Sequence, residues 1–260
     1  MKIKFVILTV FALFSVSVNA QDLNKYEKST YIEGKDSLPY RILFPKNFDP
    51  MKKYPLILVL HGAGERGNDN EAQLVHGGNL FLSSKARDTY PAIVVFPQCP
   101  KDSYWSNVKF KTDSGKREFI FQKGGKPTMA MKALLGLAER LIDKPYINKE
   151  QLYVGGLSMG GMGTFELLRR MPKTFAAAFP ICGGDNPQNV KKYKKTPLWI
   201  FHGADDDVVP VSHSEIVAKA LQEKGAQDIK LTIYPGVKHN SWDNAFAEPQ
   251  LLPWLFAHKK

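Results

Sequence analysis

Seven apolar runs, each broken off by a turn, constrain this chain more than any other feature it has. Tyr54 to Leu60 (YPLILVL) stops at His61-Gly62, and Ala92 to Phe96 stops at Pro97. Ala176 to Ile181 ends at Cys182-Gly183-Gly184, Pro197 to Phe201 at His202-Gly203, and Ile229 to Tyr234 at Pro235-Gly236. Leu38 to Phe44 and Gln151 to Gly155 complete the set. A strand that is apolar on both faces must be covered on both faces. The cover lies in the gaps. Thr128 to Ile142 carries Met131, Leu134, Leu135, Leu137 and Leu141 near helical spacing. Met159 to Arg170 is glycine-rich at its start and apolar later, and Ser212 to Lys224 is amphipathic, with Ile216, Ala220 and Leu221 on one face. The tail from Pro249 to Ala257 closes the domain. Alternating βα units predict an α/β fold: a mostly parallel central sheet with helices on both faces, a three-layer sandwich.

The first twenty residues are of another kind. Met1-Lys2-Ile3-Lys4 is a short basic start, Phe5 to Val18 is apolar without charge, and Val18-Asn19-Ala20 offers small residues to a signal peptidase. This is the pattern of a removable leader, and the apolar run is too short to span a bilayer, which takes about 20 residues. Residues 1–20 are therefore expected to be a signal peptide and residues 21–260 one catalytic domain. The protein is expected to be exported, to the periplasm or the medium of a bacterium. The chain has 260 residues, 43% hydrophobic and 23% charged, an ordinary globular balance. A net charge of +11 would suggest nucleic acid in a cytosolic protein. Export and the scatter of the lysines speak against that partner. The exception is Lys191-Lys192-Tyr193-Lys194-Lys195, which reads as a solvated loop or as an attractor of acidic glycans or anionic surfaces.

The chemistry concentrates at strand ends. Gly156-Leu157-Ser158-Met159-Gly160 has the G-x-S-x-G form of a nucleophile elbow, placed after one strand and before a helix. Ser158 is the expected nucleophile. His61-Gly62-Ala63-Gly64 follows the YPLILVL strand as a second source of oxyanion donors. The backbone N–H groups of Ala63 and Met159 are the expected pair, and His61 itself reads as a packed histidine. An acid belongs at the end of a later strand, and Asp205, Asp206 and Asp207 all stand there. The base follows the acid in chain order. Of His213, His239 and His258, the second lies in a loop after the last strand, Gly236-Val237-Lys238-His239-Asn240-Ser241-Trp242, from which an imidazole can reach the elbow. No HExxH or paired-cysteine spacing points to a metal, and no cofactor is expected. The polar stretches Gly64–Ser84 and Pro100–Thr128 follow strand ends, where open α/β sheets bind ligands. In the second, Trp105 reads as a ring that stacks on substrate or as a packed loop anchor.

LHGAGERGNDN, FPQCP, GLSMGG, FPICGG, HGADDDVVP and HNSW, in that order, resemble the α/β-hydrolases. More narrowly, they are similar to the bacterial dienelactone-hydrolase-like esterases and predicted peptidases. That group is related to phospholipase/carboxylesterases and to feruloyl and acetyl-xylan esterases. The resemblance runs from about residue 30 onward. It implies the α/β-hydrolase fold and an acyl hydrolase with a Ser-His-Asp triad. The family pattern H-G-x-x-D-x-x-V-P implies Asp206 as the acid. It also implies a sheet order that sets the HGAG and elbow strands between Cys99 and Cys182, so those cysteines are expected not to be bonded. The expected substrate is a small or polysaccharide-linked ester, such as an acetyl or feruloyl group on a glycan. The alternatives are a serine peptidase or amidase, and a non-catalytic binding protein on the same scaffold.

Overall fold

The computed structural model describes residues 22–34, 36–113 and 116–260; the expected leader lies outside them. Among them ten strands form, namely β1 (Glu27–Glu33), β2 (Asp36–Leu43), β3 (Tyr54–Leu60), β4 (Ile93–Pro97), β5 (Lys109–Asp113), β6 (Lys116–Ile120), β7 (Ile147–Leu157), β8 (Ala177–Ile181), β9 (Leu198–Gly203) and β10 (Ile229–Tyr234). Eight build one sheet in the order β1-β2-β4-β3-β7-β8-β9-β10, and β5 pairs with β6 as a separate hairpin. From β4 to β10 every neighbour is parallel, while β2 joins β4 antiparallel and β1 joins β2 antiparallel.

The helices are α1 (Gly78–Leu82), α2 (Ser84–Thr89), α3 (Met129–Ile142), α4 (Met159–Arg170), α5 (Ser212–Glu223), α6 (Trp242–Ala247) and α7 (Leu251–Ala257). Strand alternation sends their cores to opposite faces. Leu56, Leu58 and Leu60 of β3 pack with α3, α4 and α5, and Ile57 and Val59 pack with the layer that holds α1, α2, α6 and α7. This is the three-layer sandwich of an α/β-hydrolase. The Thr128 side chain caps α3 by accepting from Met131 N–H. On α5 the buried face is Ser214, Val217, Ala218 and Leu221, whereas Ile216, expected on it, is exposed. Those four stand at i, i+3, i+4 and i+7, one continuous helix face, and Ile216 falls off it. Among the described residues no helix is long and apolar enough to cross a membrane.

Cys99 follows β4 and Cys182 ends β8, three neighbour steps apart across β3 and β7. At about 4.8 Å per step that is roughly 14 Å, beyond the reach of a disulfide. Both are free and buried, as expected.

Candidate active site

The parallel strands β3, β7, β8 and β9 all end on one side of the molecule, and the candidate residues gather there. Ser158 is the link between β7 and α4 and sits at φ 53°, ψ −115°, a conformation unfavourable to a residue with a Cβ. What holds it is close packing. A Cβ on Gly160 would overlap the carbonyl oxygen of Leu60, so α4 can start against the end of β3 only with glycine there. The strained turn points the Ser158 hydroxyl out of the sheet.

His239, between β10 and α6, arrives from the other side. Its Nε2 lies 2.9 Å from Ser158 Oγ, and its Nδ1 lies 2.8 Å from Asp206 Oδ2. The structure thus brings together the serine, the histidine and the middle aspartate of Asp205-Asp206-Asp207. Asp206 is buried and its other oxygen accepts from the N–H groups of Val208 (2.9 Å) and Val209 (2.8 Å). Burial works against its charge, but the hydrogen bonds from His202, His239 and those two N–H groups prevail and hold the carboxyl well below the usual range. His202 Nε2 stands 2.8 Å from Val209 O and 3.2 Å from Asp206 Oδ2, which fixes the loop from below. Asp205 and Asp207 are exposed, and Asp207 faces Lys238 at 3.5 Å. His213 is packed against Phe119 and Phe121, and His258 is bound to Asp228.

Met159 opens α4 and Ala63 opens a single 3-10 turn, so neither N–H has an acceptor within its own helix. Ala63 lines the cleft over Ser158, and Met159 is buried directly behind it. His61 is fully built in: its Nδ1 is 2.6 Å from Gly62 O, and its Nε2 accepts from Cys99 N–H at 2.9 Å. Burial lowers its pKa from 6.5 to about 4, which keeps the ring neutral.

Trp105 is not at the cleft, and that substrate-binding expectation is corrected. The side chain is completely buried, edge-on to His61 at 5.4 Å between ring centroids. Its Cβ stands 2.5 Å from where a Cβ on Gly163 would be, so it packs under the HGAG turn against α4. Its neighbour Tyr104 lines the cleft instead, with Glu65, Arg117, Phe119, Val208 and Trp242, around a volume of about 300 Å³. Trp242 also packs edge-on to His239 at 5.3 Å. Sequence reasoning missed all six of these side chains. Glu65 and Trp242 sit inside motifs already singled out, HGAGE and HNSW, and their position was the available signal. Arg117 and Phe119 had none, since they come from the charged hairpin β5–β6.

Comparison with known proteins shows the fold and the family. The chain matches the phospholipase/carboxylesterase family over residues 49–250. It is 28% identical over 208 residues to a probable SOBER1-like carboxylesterase of Arabidopsis thaliana, covering 75% of this chain and 76% of that protein. It is 24% identical over 228 residues to the putative dipeptidyl aminopeptidase C14C4.15c of Schizosaccharomyces pombe, covering 76% of this chain but only 25% of that one. Among solved structures, a thermostable esterase superposes with a TM-score of 0.80 at 34% identity, over 92% of this chain and 64% of the other. The chain therefore spans a quarter of the peptidase relative and under two thirds of the esterase structure.

Proposed function

Because the chain belongs to the phospholipase/carboxylesterase family, we propose that this serine esterase works through Ser158, His239 and Asp206 on esters carried by polysaccharides. The observation that carries the mechanism is the unbroken relay of 2.8 and 2.9 Å hydrogen bonds that ends on a strained serine. His239 Nε2 takes the Ser158 proton as Oγ attacks the ester carbonyl. Asp206 holds the imidazole through Nδ1–H and stabilises its cation. The tetrahedral oxyanion is received by the N–H groups of Ala63 and Met159. His239 then protonates the leaving alcohol, an acyl-enzyme remains, and water attacks it with His239 again as base.

The cleft lining supports a glycan ester. Tyr104 and Trp242 offer aromatic faces to a sugar or a feruloyl ring, and Glu65 and Arg117 offer hydrogen bonds to hydroxyl groups around it. Export by cleavage after Ala20, to the periplasm or the medium, fits such a substrate.

The test is a panel run on residues 21–260: acetylated xylan, a feruloyl arabinoside, a short acyl p-nitrophenyl ester and dipeptidyl and acyl-peptidyl amides. A fluorophosphonate probe should label wild type and not Ser158→Ala. Turnover of the glycan esters above the simple ester is expected. Preference for the amides would replace the reading with a peptidase. Absence of both labelling and turnover would replace it with a binding protein.

A further inference from the structure

A second feature lies at the opposite end of the sheet. Two hollows, of about 350 and 560 Å³, meet at Lys191 and Lys192 and form one trough. The first is floored where the chain enters β8 and β9, at Phe175, Ala176, Thr196 and Pro197. The second lies beside Leu135 of α3 and the last residues of α4. The catalytic groups follow the carboxyl ends of β7 and β9, whereas the trough adjoins the amino ends of β8 and β9. Six residues of β9 at about 3.3 Å each put about 20 Å between the two.

Among the described residues, ten different lysines and arginines line the trough, and no aspartate or glutamate does. The two arginines are already engaged, Arg170 Nε with Glu166 Oε1 at 2.8 Å and Arg169 Nη2 with the same oxygen at 3.3 Å. Lys194 donates to the carbonyl of Lys224. Lys28, Lys46, Lys52, Lys149 and Lys238 form ion pairs, and all five lie elsewhere. Lys123, Lys173, Lys191, Lys192, Lys195 and Lys259 are thus exposed cations without an acid beside them. A concave wall focuses such a field, and within a Debye length of about 8 Å salt screens it only partly.

The chemistry of the walls selects among polyanions. Single-stranded nucleic acid wants aromatic faces for its bases, and the aromatic residues here, Phe175 and Tyr193, are buried. A membrane surface wants apolar anchors, and the exposed large apolar side chains, Met51, Val75 and Ile216 among them, lie outside the trough. Two hollows joined at Lys191 and Lys192, rich in cations and free of acids among the described residues, suit an extended chain that bears carboxylates. We infer that this trough is a docking surface for a linear polysaccharide bearing carboxylates, held by the opposite end of the molecule from the reacting ester. The inference stands on charge and shape and is independent of which ester is cleaved.

Native affinity electrophoresis of the full chain, in gels cast with polygalacturonate or with neutral xylan, tests it. Migration should be slowed by polygalacturonate and not by xylan, and the effect should vanish in about 1 M salt, where the Debye length is about 3 Å. The variant K191E/K192E/K195E should weaken binding at least about tenfold, and K173E/K259E should weaken it too. Melting temperatures certify the fold, and the matching Lys→Gln variants replace any that unfold. Equal retention by xylan, or variants that bind as wild type does, would overturn the inference. So would tighter binding to phosphatidylglycerol vesicles or to single-stranded DNA in parallel assays.

Discussion

At the scale of single residues the proposed mechanism divides three adjacent aspartates into one that matters and two that do not. Asp206→Asn should lower kcat on the order of 10⁴-fold, because the amide cannot hold the imidazole in its working tautomer. Asp205→Asn and Asp207→Asn, at exposed positions, should stay within a few-fold of wild type. Ser158→Ala should cost about 10⁶ while the protein remains folded. Steady-state kinetics on one ester for all four variants decides, and a dead Asp205→Asn would refute the assignment. His61 makes a prediction of another kind. Its imidazole is neutral in the fold down to about pH 4, while in the unfolded chain it takes up a proton near 6.5. The unfolded state therefore binds more protons across that window, and stability falls as pH drops from 6.5 to 4. The gap between wild type and His61→Gln, measured by urea midpoints, should narrow by about 3 kcal/mol over that range. The pairing of Ser158 with His239, 2.9 Å apart, was legible from motif and chain order. The choice among the aspartates came from family resemblance. Of the two readings of Trp105 the packed anchor holds, because adjacent loop residues face opposite ways: Tyr104 reaches the cleft and Trp105 the core.

At the scale of elements, α4 is the piece on which most else rests. Its first turn touches β3, its middle holds Trp105, and its buried Glu166 accepts from Asn107 N–H at 2.9 Å as well as from Arg170. Glu166 therefore ties the long loop that carries Tyr104, Arg117 and Phe119 to the rigid layer. Glu166→Ala would leave two guanidinium groups and an N–H without their acceptor, and should destabilise by about 3 kcal/mol. It should also raise KM more than it lowers kcat, since the loop shapes the cleft and not the relay. Gly163→Ala would press on Trp105 and should cost about 1–3 kcal/mol. Thermal melts beside full kinetic curves separate these effects. Elements with strong apolar patterns, β3, β10 and α4, have the limits read from sequence. Strand β7 begins earlier than expected, at Ile147, because Asn148-Lys149-Glu150 masks its start with exposed polar side chains. Strand β1, with only Tyr31 buried, and the hairpin β5–β6 gave no apolar signal at all, since each lies where water covers most of its surface.

At the scale of the whole molecule, the α/β sandwich followed from apolar runs that needed cover on two faces, and the separation of Cys99 from Cys182 followed from the strand order. The trough did not follow. Its lysines come from the ends of α4, α7 and the loop before β9, and sequence shows only the run at 191–195. With both thiols free, urea midpoints should be the same with and without reductant, and a difference would contradict the unbridged fold. The sheet order β4-β3-β7-β8 has one more consequence. The strand at its centre, β7, is made after more than half of the chain. Until Ile147–Leu157 emerges from the ribosome, β3 has an open, wholly apolar edge and no neighbour on that side. A fragment ending at Tyr146 should therefore aggregate, and sedimentation of that fragment against the full chain checks it. Condensation has to wait for a partner nearly a hundred residues downstream, so the nascent polypeptide stays loose through most of its synthesis. Under the proposed export, that delay leaves the chain loose enough for a translocation channel to thread.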